Sequence, residues 1–234
     1  MIAIIGRGNV ATHLYTALQT KKKVCIVNPH TLKELPEDAE LYLICTVDSA
    51  IGEIASKLPQ TDAIIAHTSG SVPMKELEGI NKNIGVFYPL QTFTKDIKLN
   101  YKEIPVLIEG SSPEVIEKLK NIALLFSEDV RTADSETRKK LHLASVFACN
   151  FINAMAGISF DILQNSNLDF SILHPLIKQT VSKLSFLSPS EAQTGPARRR
   201  DNKVIETHIS MLQERPDLQE LYKLMTNIIQ HDKI

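Results

Sequence analysis

Met1-Ile-Ala-Ile-Ile-Gly6-Arg-Gly8-Asn-Val-Ala11 governs the reading of everything that follows it. Four apolar residues, Ile2 to Ile5, run into Gly6-x-Gly8-x-x-Ala11, and Val10, Leu14 and Leu18 then recur at helical spacing. A strand, a tight turn and a helix in immediate succession bring a dinucleotide pyrophosphate to a helix N-terminus. Gly6 permits the turn, Gly8 lets the backbone approach the phosphates, and Ala11 keeps helix and strand close. The free N–H groups of the first helical turn face the anion, with Arg7, Asn9 and Val10 beside it.

Outward from this unit, short apolar runs alternate with helical segments. Val24-Cys-Ile-Val27, Leu41-Tyr-Leu-Ile-Cys45, Ala63-Ile-Ile-Ala66, Ile84-Gly-Val-Phe87 and Pro105-Val-Leu-Ile108 read as strands of a mainly parallel sheet buried on both faces. Ser112 and Pro113 signal the start of a helix whose apolar face is Val115, Ile116, Leu119, Ile122, Ala123 and Phe126. A short strand is expected near Val130, and beyond Asp134-Ser135 the pattern is helical. One helix is expected over about 136–164, with others over about 170–184, 201–214 and 217–230, and a polar segment from Ser185 to Arg200. The expected fold is therefore α/β, a Rossmann-like mainly parallel sheet domain over 1–130 followed by an all-α domain over 131–234.

Bulk properties exclude several classes. With 26 basic and 27 acidic side chains in 234 residues, no charge field for nucleic acid or a membrane surface is implied. No apolar run approaches the ~20 residues that span a bilayer. Cys25, Cys45 and Cys149 lie far apart in apolar surroundings and read as buried thiols of a reducing, cytoplasmic protein. The seven histidines have no ligand spacing, so no metal is expected.

Ligands of doubly wound sheets bind beyond the carboxyl ends of the strands, where several polar clusters fall. Asn28 stands where an NAD enzyme usually carries an acidic residue for the ribose diol. Its neutral amide spares a 2′-phosphate that repulsion, which favours NADP while leaving NAD open. Asn28 also reads as a turn residue before Pro29. Thr46, Val47 and Asp48, with His67, Thr68 and Ser69, are expected to border the nicotinamide half of a cofactor, and Ser71 and Tyr88 the substrate. On the long helix, His142 and Asn153 project within about 20° of each other at 100° per residue, with Ser145 and Cys149 near the same stripe and Asn150 at its edge. Polar residues on an apolar helix need partners or a cavity. Histidine is the side chain best suited to proton exchange, so His142 is the candidate general acid/base, with Lys140 the runner-up and Asn150 or Asn153 orienting the substrate. In Thr194-Gly-Pro-Ala-Arg-Arg-Arg-Asp201, Arg199 is a candidate clamp for an anionic group, and Asp201 a substrate-side residue or the cap of the next helix.

Together, the glycine loop, His67-Thr-Ser-Gly-Ser71, Tyr88-Pro-Leu-Gln-Thr-Phe93, His142-Leu-Ala-Ser-Val-Phe-Ala-Cys-Asn-Phe151 and Thr194 to Asp201 resemble an uncharacterised bacterial family. Its members join a Rossmann-like domain to a helical C-terminal domain of unknown function. That family is similar to pyrroline-5-carboxylate reductase, the deazaflavin-dependent NADP oxidoreductase and the 6-phosphogluconate dehydrogenase-like group. The resemblance implies an NAD(P)-dependent oxidoreductase acting on a small carbonyl, hydroxyl or imine, with a helical dimerisation domain and an active site between domains. A non-catalytic NAD(P) sensor or partner-docking protein is the alternative. An S-adenosylmethionine methyltransferase fits less well, because no acidic residue ends the second strand and the helical tail is foreign to that class.

Overall fold

The computed structural model describes residues 1–164 and 166–231. Its strands are β1 (Ile2–Ile5), β2 (Val24–Val27), β3 (Leu41–Ile44), β4 (Ile64–His67), β5 (Ile84–Pro89), β6 (Val106–Gly110) and β7 (Val130–Thr132). They form one sheet in the order β2-β1-β3-β4-β5-β6-β7. Every neighbouring pair is parallel except β5 with β6. The return from β5 has no crossover helix, so Pro89 pairs with Val106 at the edge where β5 ends, and β6 runs back. Burial on both faces explains the unbroken apolar runs: β1 and β3 are buried at every position.

Helix α1 (Asn9–Leu18) packs Ala11, Leu14 and Leu18 on one face of the sheet, together with Val115, Leu119, Ile122 and Ala123 of α3 (Pro113–Ala123). Helix α2 (Ile51–Ser56) covers the other face through Ile51, Ile54 and Ala55. As the sequence predicts, Ser112 caps α3 by accepting from the Val115 N–H, and Pro113 occupies its first turn.

Beyond β7 a continuous helix runs from Ser135 to Leu163. It comprises α4 (Ser135–Ser145), a π-helical turn (Val146–Phe151) and α5 (Ile152–Leu163). Asp134 caps it, accepting from the Thr137 N–H at 2.7 Å. The sequence-based expectation concerns unbroken apolar runs; by length and composition, however, this helix is long and apolar enough to cross a membrane. An 18-residue window of this helix has mean hydropathy 1.6, and none of that window is buried. Its polar residues are too sparse to lower the average, although they interrupt every long apolar run.

The chain divides into two compact units, Met1–Ala154 and Met155–Ile234. The division falls inside the long helix, beyond the sequence-based boundary at 130, because β7 joins the sheet and α4 is tied to it through Arg138. Past α5, the second unit holds α6 (His174–Lys183), α7 (Pro189–Ala192), α8 (Pro196–Arg199), α9 (Asn202–Met211) and α10 (Pro216–Gln230). The polar segment 185–200 thus contains two short helices. Among the described residues of this unit, only Ala197, Ile205 and Leu218 are buried.

Candidate functional site: a glycine-loop cleft beside a Tyr–His pocket

The loop between β1 and α1 lies against the end of β3. Gly6 has φ +148°, and a Cβ there would stand 2.1 Å from the Cys45 carbonyl oxygen, so no other residue fits without displacing backbone. A Cβ on Gly8, by contrast, would meet only open space. That space is a cavity of about 800 Å³ lined by Gly6, Arg7, Gly8, Asn9 and Val10, by Asn28, Pro29 and His30 after β2, by Cys45, Thr46 and Val47 after β3, by Glu53 and Lys57 of α2, and by Thr68 after β4. Gly8 is the N-cap of α1 and offers no side-chain partner to the first-turn N–H groups. They are left to an anion in the cavity. The residues present therefore fit a dinucleotide: a glycine cradle for the pyrophosphate and a cleft extending to the β2 side for the adenosine half.

A second cavity of about 490 Å³ shares Val10 and Thr68 with the first. Its other walls are Tyr88 to Phe93 and, from the long helix, His142, Ser145, Val146, Ala148, Cys149 and Asn150. Among the described residues, no Lys, Arg, Asp or Glu lines it. Tyr88 Oη lies 3.2 Å from His142 Nδ1. Burial raises the Tyr88 phenol above its ordinary range, and the Arg138 charge opposes that shift. The Tyr88–Phe93 segment is clipped to α1: Asn9 Nδ2 donates to the Phe93 carbonyl at 2.8 Å, and buried His13 lies between Tyr101 Oη (2.9 Å) and the Thr94 carbonyl (2.8 Å).

Of the sequence-predicted residues, Gly6, Arg7, Gly8, Asn9, Val10, Asn28, Thr46, Val47 and Thr68 meet in the first cavity, and Tyr88, His142 and Asn150 in the second. Ala11 is fully buried under the helix, as its packing role requires. Asn28 takes its turn role, its Oδ1 accepting from the His30 N–H at 3.0 Å. The remaining residues line neither cavity. His67 is fully buried, and its Nδ1 accepts from the Ser69 N–H. Ser69 Oγ accepts from the Ser71 and Val72 N–H groups, and Ser71 donates to the Asp48 carboxylate, which ties the loops after β3 and β4. Lys140 is exposed. Asn153 falls off the predicted stripe because the π turn inserts one residue, rotating all that follows by about 100°. In the second unit, Asp201 caps α9 by accepting from the Val204 N–H, and Arg199 is exposed on α8.

Sequence reasoning missed Arg138. This residue is fully buried and forms an ion pair with Glu109 of β6. It also donates to the Ser69 carbonyl at 3.2 Å and the Val72 carbonyl at 2.6 Å. Its available signal was its place four residues before His142, hence on the same helix face.

The sheet order, the glycine cradle and the helical second unit define a Rossmann-like dinucleotide-binding protein with a C-terminal helical region. The chain belongs to the family described as Domain of unknown function (DUF2520), whose model it matches over residues 104–229. It is similar to the solved "putative NADP oxidoreductase BF3122" of Bacteroides fragilis, at 40% identity and TM-score 0.92 over 99% of this chain and 98% of that one. The fold alone is shared with a reductive aminase from Aspergillus terreus, solved with NADPH and ethyl levulinate (14% identity, TM-score 0.71, 98% of this chain and 92% of that). The same holds for an imine reductase from Myxococcus stipitatus, solved with NADP+ (15% identity, TM-score 0.64, 99% and 93%). None of the curated proteins matches the chain.

Proposed function

We propose that this protein is an NADP-dependent oxidoreductase acting on a small carbonyl, hydroxyl or imine compound. The observation that carries the reading is the glycine cradle, in which Gly6 closes on the β3 end while Gly8 stays open to a cleft that adjoins a Tyr–His pocket. When bound, the nicotinamide supplies or accepts a hydride. Gly6, Gly8 and the α1 N-terminus hold the pyrophosphate, with Arg7, Asn9 and Val10 beside it. Thr46, Val47 and Thr68 border the nicotinamide half. Arg7 and His30 around the cleft, with the neutral Asn28, favour a 2′-phosphate and so NADP over NAD, while Lys57 is paired with Glu53. His142 takes part in the proton exchange and Asn150 orients the substrate, while exposed Lys140 and displaced Asn153 are weaker candidates.

The three free thiols fit a reducing cytoplasm. A non-catalytic sensor would need no proton donor, and the placement of Tyr88 and His142 beside the cleft favours an enzyme. The bare apolar surface of the long helix favours a second copy of the chain as partner.

Calorimetric titration with NADPH, NADH and S-adenosylmethionine tests the cofactor. Micromolar NADPH binding, weakened at least tenfold by Gly8→Asp, is expected, because a carboxylate would enter the phosphate space. Absence of NADPH binding, or tighter binding of S-adenosylmethionine, sinks the reading.

A further inference from the structure

Three elements converge on one point beside the second cavity: the end of β5 with Tyr88, the turn after β4 with Gly70, and α4 with His142. Tyr88 Oη and His142 Nδ1 are 3.2 Å apart, and their rings meet edge to face with centroids 6.1 Å apart. They close over Gly70. A Cβ at that position would lie 2.7 Å from His142 Nδ1, 2.7 Å from Tyr88 Cζ and 2.9 Å from Tyr88 Oη. The absent side chain is what lets the two rings touch. Arg138 fixes the arrangement, since its guanidinium binds the Ser69 and Val72 carbonyls on either side of Gly70 and it stands one helical turn before His142.

We propose that Tyr88 is the residue that hands the proton to the reduced substrate, with His142 refilling it from solvent. The inference rests on the oxidoreductase reading and deepens it. Tyr88 is the inner member of the pair. It is the penultimate residue of β5, buried, and lines with Thr68 the cavity on the side of the sheet where the nicotinamide half would lie, whereas His142 is half-buried on the helix. In the reductive direction the C=O or C=N carbon receives hydride from the reduced nicotinamide dinucleotide and its π bond breaks. The heteroatom takes the Tyr88 hydroxyl proton as its electron pair is released. The phenolate oxygen is refilled by the Nδ1 proton of His142 while Nε2 takes one from water, which releases hydroxide to the bulk solvent and leaves a neutral imidazole in its other tautomer. Burial keeps the Tyr88 phenol protonated as a donor, and the nearby Arg138 charge steadies the transient phenolate.

The first readout needs no substrate. In 15N-histidine spectra of the unliganded protein, the His142 ring, assigned by its loss in His142→Gln, is expected to show a single fixed tautomer. Tyr88→Phe, which keeps the ring's volume, is expected to release it to the mixture of free imidazole, as is Gly70→Ala. The second readout is turnover with NADPH against a panel of uncharged aliphatic ketones and cyclic imines. Tyr88→Phe is expected to lower kcat about 100-fold or more with the NADPH Kd within about threefold of wild type. NADPH binding with an unmoved His142 spectrum, or with kcat in Tyr88→Phe above half of wild type, overturns the dyad and leaves the oxidoreductase reading standing. Absent NADPH binding overturns that reading, and the proton-donor role with it, even if the His142 tautomer responds to Tyr88→Phe.

Discussion

His67 shows what one buried ring costs. It ends β4 with no exposed surface, and because its Nδ1 accepts the Ser69 N–H, the proton of the neutral ring sits on Nε2, which has no partner. Burial, and after it the charge of Arg138, push its pKa down to about 4. The Pro73 carbonyl, outside hydrogen-bonding geometry, and Asp48 pull weakly the other way. The unfolded chain takes up this proton near its ordinary value of about 6.5, and the folded chain does so only near 4. Between those values the unfolded state binds more protons, so stability is full above about 6.5 and falls as the pH drops toward 4. The loss attributable to this group is on the order of 3 kcal/mol. Urea unfolding of wild type and His67→Asn at pH 7.5, 6, 5 and 4.5 reads it as a steeper decline in wild type. Parallel curves would show that His67 is not the source.

At the scale of elements, the decisive contact is the one that fastens α4 to the sheet. Arg138 carries its charge into the interior and meets the Glu109 carboxylate, two backbone carbonyls and Ser135 Oγ. Such a group is costly to bury, and removing one partner leaves the other stranded. Arg138→Met is expected to cost about 3–5 kcal/mol in denaturant unfolding. The double variant with Glu109→Gln should cost less than the two singles summed, because the stranded charge is then gone. Strict additivity would mean that the two side chains do not act as a pair. The ion pair itself was not legible beforehand. Arg138 precedes Lys139 and Lys140 and reads as the start of a solvated basic run, and its partner lies 29 residues upstream on a strand. The strands themselves were legible because burial on both faces writes them as unbroken apolar runs, and the cofactor loop because glycine alone satisfies the contact with Cys45. Asn153 was misplaced for a different reason: projection at 100° per residue assumes a uniform helix, and the π turn at Val146–Phe151 breaks it.

For the whole molecule the open question is what covers the long helix. Leu143, Phe147, Phe151, Ile152 and Met155 are all exposed large apolar residues, and Phe147 and Phe151 stack edge to face at 4.8 Å without burying either ring. A soluble monomer rarely leaves such a patch bare. A bilayer would accept the length and mean hydropathy of this helix, yet it would also have to take Asn150, Asn153 and Asp161 out of water. A second copy of the chain can bury the aromatic positions and leave those polar groups wet or paired, which makes it the better occupant. Light scattering coupled to size exclusion is expected to give twice the single-chain mass at micromolar concentration. Phe147→Glu with Phe151→Glu should return a folded monomer, because neither ring contributes to the buried core. A wild-type mass of one chain would remove the dimer, and flotation of wild type with neutral phosphatidylcholine vesicles, lost in the double variant, would assign the same face to lipid.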